Sequence, residues 1–265
     1  MPRVVLVTGK GGVGKTTTAA ATAVRAARSG LRTLVMSTDA AHSLGEALDV
    51  DLRTARTWDD SHAVEPGLHA LAVGAHTAVE ADWQVVRDYL LGVLDAMGVD
   101  PVVADELTSL PGAEEVTALA ALALQTQRGQ WDLVVVDCAP TAETLRLLAL
   151  PEVLGWHLDR LLPAQRRLLT VLRPAASAAT GVPVPGPEVL LVLRAWRDLM
   201  VEVRTLLTSP RASVRVVLTP ERVVIAESRR VLTSLSLHGY AVDAVVVNRV
   251  LPASAPGDTD PWRAA

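Results

Sequence analysis

The stretch Gly9-Lys10-Gly11-Gly12-Val13-Gly14-Lys15-Thr16 decides how this sequence folds. It follows the short apolar run Val4–Thr8 and precedes a segment rich in Thr and Ala, which predicts a strand, a glycine loop and a helix from about Thr16 to Ser29. In that context the pattern G-x-x-x-x-G-K-[ST] predicts a phosphate-binding loop, because backbone N–H groups and a helix N-terminus converge on an anion. The alternative is a glycine-rich turn with two solvated lysines.

The lysine content favours the phosphate loop. Of 25 basic residues, 23 are arginine, and the two lysines, Lys10 and Lys15, both lie in this loop. A compact ammonium on a flexible stem differs from a planar guanidinium, so a lysine kept in an arginine-rich chain indicates a point-charge site. We expect Lys15 to reach the β- and γ-phosphates and the Thr16 hydroxyl to bind Mg²⁺.

Further apolar runs rich in β-branched residues predict the rest of a sheet. They are Thr33–Ser37, His69–Val73, Leu133–Val136, Val214–Leu218 and Val242–Val247. Nearly continuous apolar strands are typical of parallel sheets covered on both faces. The fold class predicted is α/β, a doubly wound and mainly parallel sheet of the P-loop NTPase type.

Two stretches between these strands, about 77–128 and 143–208, are too long to be single crossover helices. They predict an α-helical subdomain inserted into the sheet domain. At 265 residues, the chain is expected to form one P-loop ATPase domain over 1–265.

Composition excludes several classes of protein. Cys138 is the only cysteine, so an intrachain disulfide, a thiolate zinc site and a tight arsenite site of three thiolates are not expected. The net charge of −4 provides no basic field for nucleic acid. The sequence has no run long enough to span a membrane and no signal-peptide pattern at its start, so we expect a cytoplasmic protein without direct membrane insertion.

Lys10 makes the loop a K-G-G-x-G-K-T loop, and the chain resembles the ArsA/GET ATPases. The segments that carry the resemblance, besides the loop, are Ser37–Leu44 (switch I), Pro111–Glu115, Asp137–Leu148 (switch II) and Asn248–Pro252. They occur in the family's order from residue 9 to residue 252. MinD/ParA proteins and the nitrogenase iron protein share only the loop type.

The resemblance implies ATP and Mg²⁺ as cofactors and a homodimer in which Lys10 reaches the partner's nucleotide. It places Asp39 against the attacking water, Asp137 on Mg²⁺ through water, and Asn248 at the adenine edge. Phosphate contacts would come from the loop and its following residue: Gly11, Gly12, Val13, Gly14, Lys15, Thr16 and Thr17.

The chain departs from the family pattern at several positions. Ala40 replaces a proline in switch I, Cys138 replaces a threonine, and Glu143 replaces a histidine in switch II. Cys138 is interpreted as a small semi-buried residue in preference to a metal or redox site. Family members usually continue beyond the Asn248 motif, whereas this chain ends at Ala265, so we expect a reduced or a shortened version.

The function implied is an ATPase that captures and releases a hydrophobic client, in the manner of tail-anchored protein targeting. One alternative is the ATPase subunit of an arsenite or other anion efflux system. A MinD/ParA-like positioning switch is the other, although the C-terminal residues lack the basic amphipathic pattern that membrane binding requires.

Overall fold

The computed structural model describes residues 1–38, 43–52, 61–73, 77–107, 113–139, 141, 144–145, 147–152 and 185–250. The described strands form one sheet. They are β1 (Arg3–Thr8), β2 (Thr33–Ser37), β3 (His62–Glu65), β4 (Leu68–Ala72), β5 (Leu133–Asp137), β6 (Ala212–Leu218) and β7 (Val242–Val247). Their spatial order is β3-β4-β2-β5-β1-β6-β7. All neighbours are parallel except β3 and β4, so the predicted doubly wound α/β class is confirmed.

Helices connect the strands. Those described are α1 (Lys15–Arg28), α2 (Ser43–Leu48), α3 (Thr77–Ala96), α4 (Pro101–Leu107), α5 (Ala113–Gln127), α6 (Pro187–Leu207) and α7 (Arg222–Leu237). Among the helices of the described ranges, none is long and apolar enough to cross a bilayer.

The sheet separates two apolar layers because alternate residues of a strand face opposite sides. In β1, Val4 and Leu6 pack in the layer that contains buried residues of α5 and α6. Val5 and Val7 point to the other side, where the alanine face of α1 covers them. Strands β2 and β5 are buried along their whole length, which explains their unbroken apolar sequence.

Helices occur in both stretches for which the sequence predicts an inserted helical subdomain. Helices α3 and α6 meet through stacked indoles, with the ring centroids of Trp83 and Trp196 separated by 6.2 Å. Gly98, in the left-handed region at φ 74°, follows the end of α3 and separates it from α4. Residues 153–184 lie outside the described residues, and the subdomain remains a prediction.

Helices α2 and α7 were not predicted from the sequence, and among the described strands the sequence analysis missed β3. It is short, pairs antiparallel with β4, and its residues are exposed or half-buried. A strand without a buried face lacks the apolar run by which the other strands were recognised.

An ion pair between Arg32 and Asp132 links the starts of two central strands, β2 and β5. The Asp132 carboxylate, just before β5, accepts hydrogen bonds from the Arg32 guanidinium at 2.7 and 3.1 Å and from the Arg32 backbone N–H at 2.9 Å. The side-chain bond to Arg32, followed by the backbone bond, lowers the pKa of Asp132 to about 2.

We predict that Asp132→Asn lowers the free energy of unfolding in a pH-dependent way. Because the pKa is depressed in the folded state, the stabilisation is complete above the unfolded value of about 4 and is lost as the pH falls towards the folded value. Urea unfolding at about pH 6 and about pH 3 measures the free energy of unfolding of both proteins. The difference between Asp132→Asn and the parent should be smaller at the lower pH.

Asp198→Asn is the control, because Asp198 is an exposed carboxylate on α6 that pairs with its neighbour Arg197. We expect that change to have little effect at either pH. A loss of stability in Asp132→Asn that is the same at both pH values would contradict the prediction.

Candidate nucleotide-binding site

The glycine loop runs from the end of β1 to the start of α1 at the carboxyl edge of the sheet, where doubly wound folds bind ligands. Its backbone requires glycine at defined points. A Cβ on Gly9 would overlap the carbonyl oxygen of Val217 in β6. Gly12 and Gly14 adopt left-handed φ values of 79° and 95°. The loop therefore turns tightly while lying directly against the sheet.

The end of the loop brings a buried ammonium and a hydroxyl to the start of α1. Lys15 is only 7% exposed, which is unusual for a lysine and fits a side chain that is directed over the loop. The Thr16 hydroxyl lies 3.2 Å from the hydroxyl of Ser43, the first residue of α2. Thr17 is exposed on the first turn of α1.

Asp137 ends β5 with its side chain fully buried at the same edge. The next residue, Cys138, is 1% exposed, and its thiol lies 3.7 Å from the Val136 carbonyl oxygen. Burial raises the pKa of the Cys138 thiol, the Asp137 charge raises it further, and the Lys15 charge lowers it.

Threonine hydroxyls fix the backbone immediately after Asp137. The Thr144 hydroxyl donates to the Ala139 carbonyl at 2.6 Å and accepts a hydrogen bond from the Thr8 hydroxyl at 3.0 Å. The Thr38 hydroxyl accepts from the Ala139 N–H at 3.3 Å. The Ala139 N–H is thus held by Thr38, which follows β2, and its carbonyl by Thr144, which contacts Thr8 at the end of β1. These bonds link the ends of β1 and β2 to switch II.

Lys10 differs from Lys15 in its surroundings. Its side chain is 41% exposed at the rim of the loop, and its ammonium lies 3.7 Å from the carboxylate of Glu227 on α7. An exposed pair at this distance stabilises the folded chain only weakly.

Asn248 lies directly after β7, and its side chain reaches the phosphate loop. The amide nitrogen donates to the Val13 carbonyl at 2.9 Å, and the amide oxygen accepts from the Arg249 N–H at 2.9 Å. The structure thus brings Lys10, Lys15, Thr16, Asp137 and Asn248 to one edge of the sheet.

Some of the predicted positions lie outside the described residues. These are Asp39 and Ala40 of switch I, Pro111 and Gly112, and Glu143 of switch II. The described Thr38 and Ser43 flank residues 39–42 of switch I.

The residues at this edge fit a hard divalent cation. Thr16 and Asp137 supply oxygen atoms, which Mg²⁺ prefers, and Mg²⁺ usually binds one or two protein groups together with phosphates and water. The described part of the chain contains no cluster of three or more His, Cys, Asp or Glu side chains able to hold a metal alone. A magnesium site here would therefore be completed by a nucleotide.

A family model described as an anion-transporting ATPase, the ArsA ATPase, matches residues 2–262. The chain belongs to the ArsA ATPase family.

The relatives of this chain carry names of several kinds. A "Putative arsenical pump-driving ATPase" of Chlorobaculum tepidum is 36% identical over 98% of this chain and 64% of its own length. An "ATPase GET3B" of Arabidopsis thaliana is 32% identical over 93% of this chain and 64% of its own length. An "ATPase ASNA1 homolog" of Trypanosoma cruzi is 28% identical over 95% of this chain and 76% of its own length. The chain thus spans a little less than two thirds of the first two relatives.

For this ArsA-family chain, sequence reasoning missed the supporting residues of the site. Four of them lie within or beside recognised motifs: Thr8, Thr38, Ser43 and Thr144. A motif does not indicate which hydroxyls form hydrogen bonds with each other. Glu227 lies in a helix without any motif. A hydroxyl placed just after a strand or in a switch segment is the one signal that would have pointed to the threonines.

We predict that Thr144→Val lowers the free energy of unfolding by about 1–3 kcal/mol, because it leaves the buried Thr8 hydroxyl without its acceptor and the part-buried Ala139 carbonyl without this donor. Thr144 is 2% exposed and Thr8 is fully buried. The double variant Thr8→Val with Thr144→Val should cost less than the sum of the single variants, as expected for residues in one network. Urea denaturation of all three proteins measures both effects.

Thr126→Val provides the control. Thr126 is equally buried at 2%, but its hydroxyl donates to Ala123 within the same helix, α5. Thr126→Val should lower the free energy of unfolding by about 1 kcal/mol or less, since the Ala123 carbonyl keeps its helical donor. Strictly additive effects of the Thr8 and Thr144 changes would contradict a shared network.

Proposed function

We propose that this chain is a Mg²⁺-dependent ATPase, hydrolysing ATP to ADP and phosphate. The observation that carries the proposal is the phosphate loop against the sheet, with the ammonium of Lys15 buried and the carboxylate of Asp137 at the same edge. A buried lysine and a buried carboxylate at a ligand-binding edge are costly for stability, and binding of a charged ligand accounts for them.

In this proposal, the N–H groups of Gly11 to Thr16 bind phosphate oxygens, and Thr17 supports the α-phosphate. Lys15 neutralises the β- and γ-phosphates, while Thr16 and Asp137 hold Mg²⁺, which would supply positive charge to the transferred phosphoryl group. Asp39 orients or deprotonates the attacking water.

The proposed active unit is a homodimer. Lys10 stands at the exposed rim of the loop, so its ammonium is available to a second subunit once it leaves Glu227. A lysine on a four-carbon stem suits this exchange because it acts as a point charge without a fixed donor geometry.

The proposed work of the cycle is capture and release of a hydrophobic client protein. Exposed apolar residues on or beside α3, α4 and α6 support it: Met97, Val102, Val103, Leu191 and Val201. Relatives named GET3B and ASNA1 homolog support the same role. The net charge of −4 favours a protein client over nucleic acid, and we propose a cytoplasmic location.

The second candidate is the ATPase subunit of an anion efflux system, which the name arsenical pump-driving ATPase favours. Arsenite itself would require about three thiolates, and the single cysteine of this chain is buried. An oxyanion recognised through oxygen and nitrogen donors would avoid that difficulty.

We predict that Asp39→Asn retains ATP binding and loses turnover by roughly 10²-fold or more, because an amide does not accept a proton from water. Phosphate release and nucleotide affinity, measured on the same protein, separate the two effects. Asp49→Asn is a matched control: Asp49 is an exposed residue after α2 with φ 54°, a conformation that asparagine tolerates. Equal turnover in Asp39→Asn and the parent would remove Asp39 from the chemistry.

We predict partial recovery of ATPase activity when Lys10→Ala protein is mixed with Lys15→Ala protein. If Lys10 acts on the partner's nucleotide, both lesions of a mixed dimer fall on one site and the other site is intact. Each variant alone, carried through the same mixing procedure, is the control. If Lys10 serves its own subunit, every site in the mixture carries a lesion and activity stays lost, which would refute the composite site.

A further inference from the structure

A side chain from the end of the chain holds the centre of the phosphate loop. The amide nitrogen of Asn248 donates a hydrogen bond to the carbonyl oxygen of Val13 at 2.9 Å, although the two residues are 235 positions apart. Val13 is buried, and Asn248 is the only asparagine in the sequence.

The orientation of this amide is fixed by its other contacts. The Asn248 side-chain oxygen accepts a hydrogen bond from the Arg249 N–H at 2.9 Å, and the Asn248 backbone N–H donates to the Leu218 carbonyl of β6 at 2.8 Å. The oxygen therefore faces Arg249 and the nitrogen faces Val13. An aspartate would place an oxygen against the Val13 carbonyl, so the contact requires an amide.

The loop and the amide fit closely. A Cβ on Gly14 would overlap the side-chain nitrogen of Asn248. Gly14 is also in the left-handed region at φ 95°, a conformation that a non-glycine residue adopts at a cost. The position after β7 thus restricts both the backbone conformation and the residue type of the loop.

We infer that Asn248 is a positioning residue for phosphate binding, which aims the Gly14 N–H by holding the Val13 carbonyl. In a planar trans peptide the C=O and the following N–H point in opposite directions. With the Val13 carbonyl held by Asn248, the Gly14 N–H points to the opposite side of the loop. The inference rests on the proposed function, since it concerns the same loop.

The hydrogen bond from Asn248 to Val13 raises the fraction of molecules whose loop has the phosphate-binding conformation. When only part of the molecules have the binding-competent conformation, the apparent dissociation constant rises in inverse proportion to that fraction. Losing one hydrogen bond to a part-buried carbonyl corresponds to roughly a fivefold to thirtyfold weaker affinity. This loss applies to any ligand that binds through phosphates.

A role at the adenine edge makes a different prediction. There, a change at Asn248 weakens binding of ATP and leaves a ligand without a base unaffected. Inorganic triphosphate therefore separates the two roles, because it offers phosphate oxygens alone.

The experiment measures the affinity of Asn248→Ala for ATP and for inorganic triphosphate, each with Mg²⁺, by calorimetry. Asn248→Ser is a second variant, too short to reach Val13, in case the first is poorly folded, and a thermal melt checks both. Val245→Thr is the matched control, on the same strand with a 45% exposed side chain.

We expect both Asn248 variants to bind triphosphate at least threefold more weakly than the parent, with Val245→Thr unchanged. Triphosphate affinity within threefold of the parent's would overturn the inference. Hydrogen exchange of the amides of residues 10–16, measured without nucleotide, is the second readout, and Asn248→Ala should accelerate it. If the parent binds neither ATP nor triphosphate, the proposed ATPase function fails. Hydrogen exchange that is the same in Asn248→Ala and the parent separately overturns the positioning role of Asn248.

Discussion

The contact of the loop backbone with the end of β6 is the constraint on which the site depends. The Gly9 backbone lies so close to the Val217 carbonyl that no side chain fits between them. This approach lets the loop pass over a strand end and still reach the first turn of α1. The sheet supplies the surface, because all of its described strands except β3 have their carboxyl ends at that edge.

The site places opposite charges where a folded chain ordinarily avoids them. Asp137 is fully buried and Lys15 is 7% exposed, both beside strands made of apolar residues. Removing charges from water costs more than their attraction returns unless the geometry is supported by hydrogen bonds. The hydroxyls of Thr8, Thr38 and Thr144 provide such hydrogen bonds around Ala139, two residues after Asp137. The two buried charges thus lower the stability of the fold at this edge, and the threonine hydrogen bonds hold the surrounding backbone in place.

The fold was predictable to the extent that it follows from periodicity and glycine spacing. The central strands and α1 were found because buried parallel strands and a phosphate loop impose residue types locally. Strand β3 escaped because an exposed edge strand imposes none. The location of Lys15, Thr16 and Asp137 at the carboxyl edge of the sheet was predictable because it follows from a strand end or a helix start.

Contacts between distant segments were not predictable in the same way. The bonds from Thr8 to Thr144 and from Asn248 to Val13 depend on which strands become neighbours, and a single sequence does not state that order. The family resemblance implies a role for the Asn248 amide at the adenine edge, and that role stays a prediction. The structure uses both ends of that amide within the chain.

The two lysines of the loop show how one segment combines a fixed and a movable charge. Lys15 is enclosed by the fold, so its position is set before any ligand arrives. Lys10 is 41% exposed and has a partner in Glu227 at 3.7 Å, a pair that solvent screens. A strong pair would hold Lys10 away from a second subunit, and no pair at all would leave an ammonium repelling the like charge of the same loop on an approaching copy. In the proposed homodimer, a weak and exchangeable partner would avoid both outcomes, because Glu227 would neutralise Lys10 in the single chain and release it when phosphate oxygens offer more charge.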